Sequence, residues 1–278
     1  MSLFIASLNS GSNGNCYYIG NDQEAILVDA GLPCKELELR MARLGLKMDM
    51  IRAVFISHEH TDHISGVPTL LKRYRIPVYI TAPTLRNGKL RFDASLINHF
   101  APYQPVVVGG LQVAAFPKYH DACDPHSFIV SDGKVNIGVF TDIGKPCDHV
   151  TSHFSKCHAA FLESNYDELM LSNGRYPWFL KNRITSGKGH LSNTQALQIF
   201  LQHRPSYMTH LLLSHLSKEN NCPELVGNLF NRHAGATNVV VASRYCETPV
   251  YEIRAQEGLY STAFVRPPAP VYSQLRLF

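Results

Sequence analysis

Residues 57–63 read Ser-His-Glu-His-Thr-Asp-His, directly after the apolar run Ala53-Val54-Phe55-Ile56. Such an apolar run reads as a buried strand, so the polar cluster sits at a strand end, where α/β folds commonly build sites. His58, His60, Asp62 and His63 can each bind a divalent cation, and four such groups rarely crowd together without one. A histidine-rich polar loop is the bland alternative, and the strand-end position argues against it. On an extended turn His58 and His60 share a side by period two, while Asp62 and His63 continue around the bend. Imidazole suits Zn, Fe, Ni or Cu, and a histidine-carboxylate set without cysteine fits Zn, Fe or Mn. One ion wants about four ligands, so this run cannot complete two sites alone. His120, Asp142 and His215, each flanking a strand-like run, are the candidates for the rest.

Along the chain, strand-like segments alternate with helix-like ones. Residues 4–8, 16–20 and 25–31 read as strands, and 33–44 as a helix with Leu37, Met41 and Leu44 on one face. Residues 53–57 feed the histidine run, and Ile64 to Tyr74 reads as one helix after it. Strands follow at 78–83, 106–110 and 111–116, then a hairpin over 126–142 turning at Asp132-Gly133. Later come a strand at 158–164, a helix opening at Ser192-Asn193, a strand at 209–214, a helix over 223–232 and a strand at 238–243. Two echoes suggest duplication. "LVDAGLP" (27–33) is matched by "FTDIGKP" (140–146), and "FISHEH" (55–60) by "LLSHLS" (212–217). Two sheet halves facing each other would bring all four strand ends to one edge.

The chain has 278 residues, enough to bury a substantial core, and a net charge of +4 that permits an anionic substrate without requiring one. No apolar run is long enough to span a membrane. Met1 leads straight into a strand-like segment with no basic leader, and the seven scattered cysteines form no C-x-x-C pair. Both features predict a cytoplasmic protein with reduced thiols. The expected organisation is a single domain over residues 1–264 and a proline-interrupted tail over 265–278.

The run "HEHTDH" resembles the H-x-H-x-D-H signature of the metallo-β-lactamase fold superfamily, and Asp29 in "LVDAG" resembles its preceding aspartate motif. His120, Asp142 and His215 match the later motifs in order. "SGSNGNCYYI", "YHDACDP", "GRYPWFLKNRI", "GHLSN" and "LLSHLSKENN" are most similar to the YycJ/WalJ-like group of that superfamily. The resemblance implies an α/β protein, a four-layer αββα sandwich of two similar halves, with two divalent transition-metal ions at one edge. Zinc leads, with manganese or iron as alternatives. It implies that His58, His60 and His120 bind one ion, that Asp62, His63 and His215 bind the other, and that Asp142 bridges both. Asp29 would orient a ligand histidine from behind. His126 competes with His120 for the third-histidine role, and the match to "HDA" favours His120. Glu59 is expected to point away from its ligand neighbours.

Bound divalent ions lower the pKa of water from ~15.7 to about 7, so a metal-bound hydroxide is the expected nucleophile and hydrolysis the expected reaction. Sibling branches narrow the substrate. Flavodiiron oxidoreductases carry glutamate where this chain has His60, and class B β-lactamases commonly carry cysteine where it has Asp142. Glu163 in "FLES" and His190 in "GHLSN" resemble a carboxylate–histidine pair of the nucleic-acid-processing branches. With Asp62 they make the expected catalytic set, although the arm and cap insertions of those branches find no room here. Between the pair, Arg175, Lys181, Arg183 and Lys188 interleave with Tyr166, Tyr176, Trp178 and Phe179. Cations for phosphates beside rings for bases suit a nucleic-acid groove; a surface segment whose rings pack on the core is the competing reading. The expected function is a nuclease cleaving phosphodiesters, with 5′ exonuclease action on DNA implied by the YycJ/WalJ resemblance. The alternative is a hydrolase of a small lactone, thioester or cyclic phosphodiester.

Overall fold

The structure, a computed structural model, describes residues 2–255; the expected boundary at 264 and the tail over 265–278 lie outside the described residues. The first sheet holds β1 (Ser2–Asn9), β2 (Cys16–Gly20), β3 (Ala25–Val28), β4 (Ile51–Phe55), β5 (Val78–Tyr79) and β6 (Ile97–Asn98) in sequence order. The second holds β7 (Val106–Val108), β8 (Leu111–Pro117), β9 (His126–Ser131), β10 (Asn136–Phe140), β11 (Ala159–Glu163), β12 (His210–Ser214) and β13 (Asn238–Val241), also in sequence order. The chain then returns as β14 (Tyr251–Arg254), antiparallel on β1, and closes the first sheet.

Side-chain alternation turns these two sheets into four layers. In β1, Leu3 and Ile5 point into a core shared with Val113, Phe128, Ile137 and Phe161 of the second sheet. Ala6 and Leu8 point the other way, onto Leu37 and Met41 of α1 (Cys34–Arg43). The helices α2 (Thr61–Ile64), α3 (Val67–Tyr74) and α4 (Ala82–Asn87) follow on this half. In the second sheet, Leu212 faces inward. Leu211 and Leu213 face a core shared with α5 (Asp148–Phe154), α8 (Asn193–His203) and α9 (Pro223–Asn231). The period-two pleat fixes this division. Strands buried on both faces also explain why they read as continuous apolar runs in the sequence. Rings interlock across the sheets: Tyr17 on Phe161 at 4.8 Å and Phe55 on Phe128 at 5.8 Å between centroids. Each such buried ring contributes roughly 1.5–3 kcal/mol.

Several elements differ from the sequence expectation. The helix expected over 64–74 is two, α2 and α3, broken at Ser65-Gly66, where a side chain on Gly66 would collide with the Leu32 carbonyl. The strand expected over 78–83 ends at Tyr79, and Ala82-Pro83 begin α4 beneath a Thr81 cap. Helices α5, α6 (Glu168–Asn173) and α7 (Trp178–Thr185) were not anticipated, nor were β6 and β14. The hairpin turn at Asp132-Gly133 does form. Gly133 takes φ 89° and the Asp132 carboxylate accepts from the Lys134 and Val135 N–H groups.

Candidate metal centre

Strands β3 and β4 run parallel, as do β10, β11, β12 and β13, so their C-terminal ends meet along one edge of the sandwich. The echoed motifs lie there. Asp29 after β3, Asp142 after β10 and His215 after β12 all take left-handed backbone conformations, with φ 60°, 56° and 57°. That region costs a non-glycine residue roughly 1–3 kcal/mol, and Asp and His are among the residues that enter it most readily. Fixed partners hold these turns. The Asp29 N–H donates to the Phe55 carbonyl at 2.8 Å and the His215 N–H to Ser10 Oγ at 2.7 Å. Lys118, buried, donates from Nζ to the Thr141 carbonyl at 2.6 Å and so fixes the peptide leading into Asp142.

Two triplets of donor atoms converge at this edge. One is His58, His60 and His120, and the other is Asp62, His63 and His215; Asp142 also groups with His58 and His63, and with Glu163, His190 and His215. His60 Nδ1 lies 3.1 Å from His58 Nε2 and 3.2 Å from His120 Nε2. Asp62 Oδ2 lies 3.4 Å from His215 Nε2 and 3.6 Å from His63 Nε2. The Asp142 carboxylate reaches both groups, with Oδ2 at 3.2 Å from His63 Nε2 and Oδ1 at 3.8 Å from His120 Nε2.

In four of these five rings, His60 excepted, the opposite nitrogen is occupied, which sets the tautomer. His63 Nδ1–H donates to Asp29 Oδ2 at 2.7 Å, and His58 Nδ1–H to Ser57 Oγ at 2.9 Å. Ser57 in turn donates its hydroxyl to Asp29 at 2.8 Å. His120 Nδ1–H donates to the Gly189 carbonyl at 3.0 Å, and His215 Nδ1–H to Glu163 Oε1 at 3.0 Å. In each of these four rings Nε2 is therefore the nitrogen turned inward, the arrangement by which outer partners orient metal-binding histidines.

These residues fit divalent cations. Asp142 Oδ2 is buried and makes no hydrogen bond, its near neighbour being His63 Nε2 at 3.2 Å, and the His58 and His120 Nε2 atoms crowd His60 Nδ1 at 3.1 and 3.2 Å. Asp29, Asp142 and Glu163 are buried, and Asp62 joins them at the rim. Four carboxylates gathered at a buried edge are disfavoured without cations to balance them, and the buried Lys118 supplies one. Burial holds the His58 imidazole far below its ordinary range and His120 down at about 3, so both stay neutral, as ligation requires. Burial also works against a charge on His215. Asp142, Asp62 and Glu163 overcome it, raising His215 to about 10, and the carboxylates likewise raise His63 well above its usual range. Without metal, protons on His63 and His215 stand where cations would balance the carboxylates, and loading must expel them.

Glu163 and His190 meet beside these triplets. His190 Nδ1–H donates to Glu163 Oε1 at 2.8 Å, while Glu163 Oε2 accepts from the Ile143 and Leu191 N–H groups. Burial alone would raise the Glu163 carboxyl; His190 and the hydrogen bonds from His190 and His215 outweigh it and hold it at about 2. Glu163 thus fixes two imidazoles at once, a link that pairing it with His190 alone had not anticipated. His126, the competitor, lies elsewhere: its ring packs against Phe100 and its Nδ1 donates to the Asp124 carbonyl. Glu59 turns away, accepting from Asn87 Nδ2 and the Cys123 N–H.

The segment between Glu163 and His190 divides. Arg175, Trp178, Arg183 and Lys188 are exposed. Tyr166 and Tyr176 instead pack with Leu171, Leu180 and Ile184, so Tyr176 serves packing. Arg183 Nε donates to Asp121 Oδ2 at 2.5 Å, and Lys181 Nζ to the Ser172 carbonyl at 2.7 Å. The sequence reading missed Lys118, Asp121 and Asn15, whose amide donates to Asp62 Oδ2 at 3.2 Å. Asn15 sits in the glycine-rich turn after β1, where the Gly11 and Gly14 N–H groups are consumed internally, as in a plain tight turn.

Comparison with known proteins agrees with the geometry. The family model of the Metallo-beta-lactamase superfamily matches residues 10–176. The chain is 34% identical over 230 residues to exodeoxyribonuclease YycJ of Bacillus anthracis, covering 81% of this chain and 86% of that one. It is 32% identical over 223 residues to exodeoxyribonuclease WalJ of Streptococcus pneumoniae, covering 78% and 83%. The metallo-beta-lactamase fold protein YhfI of Bacillus subtilis superposes with a TM-score of 0.70, over 91% of this chain and 100% of its own, at 16% identity. Two facing sheets, a strand-end donor set and a likeness spanning most of the chain place this protein in the metallo-β-lactamase superfamily.

Proposed function

We propose that the protein is a two-metal nuclease that hydrolyses phosphodiester bonds of DNA, removing nucleotides from the 5′ end. The observation that carries this reading is the likeness to two exodeoxyribonucleases over about four-fifths of the chain, with both donor triplets intact. His58, His60 and His120 would hold one ion, Asp62, His63 and His215 the other, and Asp142 would serve both. Zinc suits this nitrogen-rich set best, ahead of manganese and iron. Two such ions supply a nucleophile from water at neutral pH and neutralise charge on a transferring phosphoryl group.

The protein's own groups do the rest. Asp29 and Glu163 hold His63 and His215 in the tautomers that present Nε2. His190, held by Glu163 at Nδ1 and partly exposed, is placed to give a proton from Nε2 to the departing oxygen. Exposed Arg175, Trp178 and Lys188 are the contacts for the polynucleotide; Arg183 reaches it only by exchanging Asp121 for a phosphate, and Lys181 and Tyr176 support the segment. The hydrolase domain is taken as residues 1–264, with 265–278 as a tail. A cytoplasmic setting accords with seven cysteines that form no disulfide; among the described residues no helix is long and apolar enough to cross a membrane.

The test incubates metal-loaded protein with duplex DNA labelled at either end, beside a panel of lactones, thioesters and cyclic phosphodiesters. Early release of label from the 5′ end is expected. Turnover of a small ester with intact DNA would replace this reading by the small-molecule hydrolase.

A further inference from the structure

Between β11 and α8 the chain makes an excursion over residues 167–190, pinned at its neck. The Asn165 N–H donates to the Leu191 carbonyl at 2.9 Å and the Asn193 N–H to the Tyr166 carbonyl at 2.8 Å. Both stems abut the metal centre. Asn165 Nδ2 donates to the His215 carbonyl at 2.7 Å, and the Gly189 carbonyl accepts from His120 Nδ1. Each donor triplet therefore has one histidine tied to the base of this arm.

The arm has a small core of its own, with Tyr166, Leu171 and Ile184 buried and Tyr176 and Leu180 packed against them. Its other apolar side chains are left outside: Leu169 is 73% exposed, Trp178 77% and Phe179 69%. The small core of α6 and α7 is built without them, and three large apolar side chains left exposed on one short arm suit an interaction surface. The surrounding charge is basic. Residues 167–190 carry Arg175, Lys181, Arg183 and Lys188 against Asp167 and Glu168, and Asp167 is engaged in capping α6.

The arm also has a direction. Phe179 and Arg183 are four residues apart and share a face of α7. Arg183 bonds Asp121, whose other oxygen lies 3.5 Å from His120 Nε2. Phe179 therefore stands about 6 Å of axial rise along α7 from Arg183, with Trp178 one residue beyond it. A duplex keeps its bases stacked inside and offers a protein its phosphates, whereas an unpaired strand offers base faces as well. Exposed rings beside cations are how single strands are held without sequence preference.

We propose that the α6–α7 arm is a platform for unpaired nucleotides. Bases stack on Trp178 and Phe179, Arg175 and Lys188 accompany the phosphates, and the strand leads toward the metal centre. This rests on the nuclease reading and deepens it: the substrate is a single strand or a frayed end.

Trp178 is the only tryptophan in the chain, so its emission reports on this platform directly. The probes are phosphorothioate-linked oligonucleotides of about twelve nucleotides, within the span of such a surface, added to metal-loaded full-length protein. One is a single strand, one the matching duplex, and one an abasic strand of the same charge. The single strand is expected to quench Trp178, and the abasic strand to leave it unquenched and bind about tenfold or more weakly. Phe179→Ala should weaken single-strand binding about tenfold and Phe179→Tyr should restore it. Equal binding of abasic and natural strands, preference for the duplex, or single-strand binding with unchanged emission overturns the platform. So does emission that changes with protein concentration alone, since a second protein surface then covers the rings. Cleavage of unmodified DNA is scored in parallel. If DNA is cleaved while Trp178 is silent, only the platform falls; if DNA is neither bound nor cleaved, the nuclease reading falls with it.

Discussion

Glu163 and His190 divide a task that their sequence motifs leave undivided. The Glu163 carboxylate is fully buried and accepts from His190, His215 and two backbone N–H groups, so it has no capacity left to meet a substrate. In the proposed nuclease it would be a positioning residue, with the partly exposed His190 as the group that meets the substrate. General-acid help of this kind is worth roughly 10²–10⁴-fold. His190→Ala is therefore expected to keep both metals while lowering kcat on DNA, whose alkoxide leaving groups need a proton. A p-nitrophenyl phosphodiester leaves without one, and the variant should retain most of its activity there. Loss of a metal, or equal slowing on both substrates, would make His190 a ligand or a support. Four donor residues were legible from spacing, since 58, 60, 62 and 63 come from one strand end. His120, Asp142 and His215 were candidates flanking strand-like runs and were assigned by resemblance to the later family motifs. Lys118, Asn15 and Asp121 were not legible, because each acquires its role from a partner far along the chain, Thr141, Asp62 and Arg183 respectively.

At the scale of elements, most strands were readable, whereas the short helices and the edge strands β6 and β14 were not. A strand buried on both faces announces itself as an apolar run of four to eight residues. Helices α5, α6 and α7 span six to eight residues, too few turns to establish a period, and α6 and α7 cover only a local cluster. The echo of "LVDAGLP" by "FTDIGKP" had a backbone meaning, since Asp29 and Asp142 end their strands in the same left-handed turn. The split between α2 and α3 has another source, the close approach of the 30–32 loop to the segment carrying the ligands. Gly31 lies so near the Asp62 carbonyl that an added Cβ would overlap it, and Asp62 is also held by the Asn15 N–H at 2.7 Å. Gly31→Ala must push the start of α2 away. Overpacking of this kind costs about 1–3 kcal/mol. The expected result is a lower melting temperature together with selective weakening of the ion held by Asp62, His63 and His215. An unchanged melting temperature and full metal content would show that the loop yields without moving Asp62.

For the whole molecule, the centre lies on the seam between the two sheets, and its donors are shared across it. His58, His60, Asp62 and His63 follow a strand of the first sheet, whereas His120, Asp142 and His215 follow strands of the second. Ions bound there would act as a clamp between the halves, in addition to the aromatic contacts of the shared core. Binding to the folded state alone stabilises by about 4 kcal/mol at a thousandfold excess over Kd. At this chain length each kcal/mol moves Tm by about 2–4 °C. Removing two such ions by chelation is therefore expected to lower Tm by roughly 20 °C, with readdition of metal restoring it. Purified protein should hold two ions per chain. Asp142→Ala should weaken both sites together, because its carboxylate faces both triplets at once, and should remove most of the chelator-sensitive part of Tm. One tightly held ion, with a Tm that neither chelation nor Asp142→Ala changes, would mean that the halves are joined by their apolar core alone and that the two-ion centre is wrong.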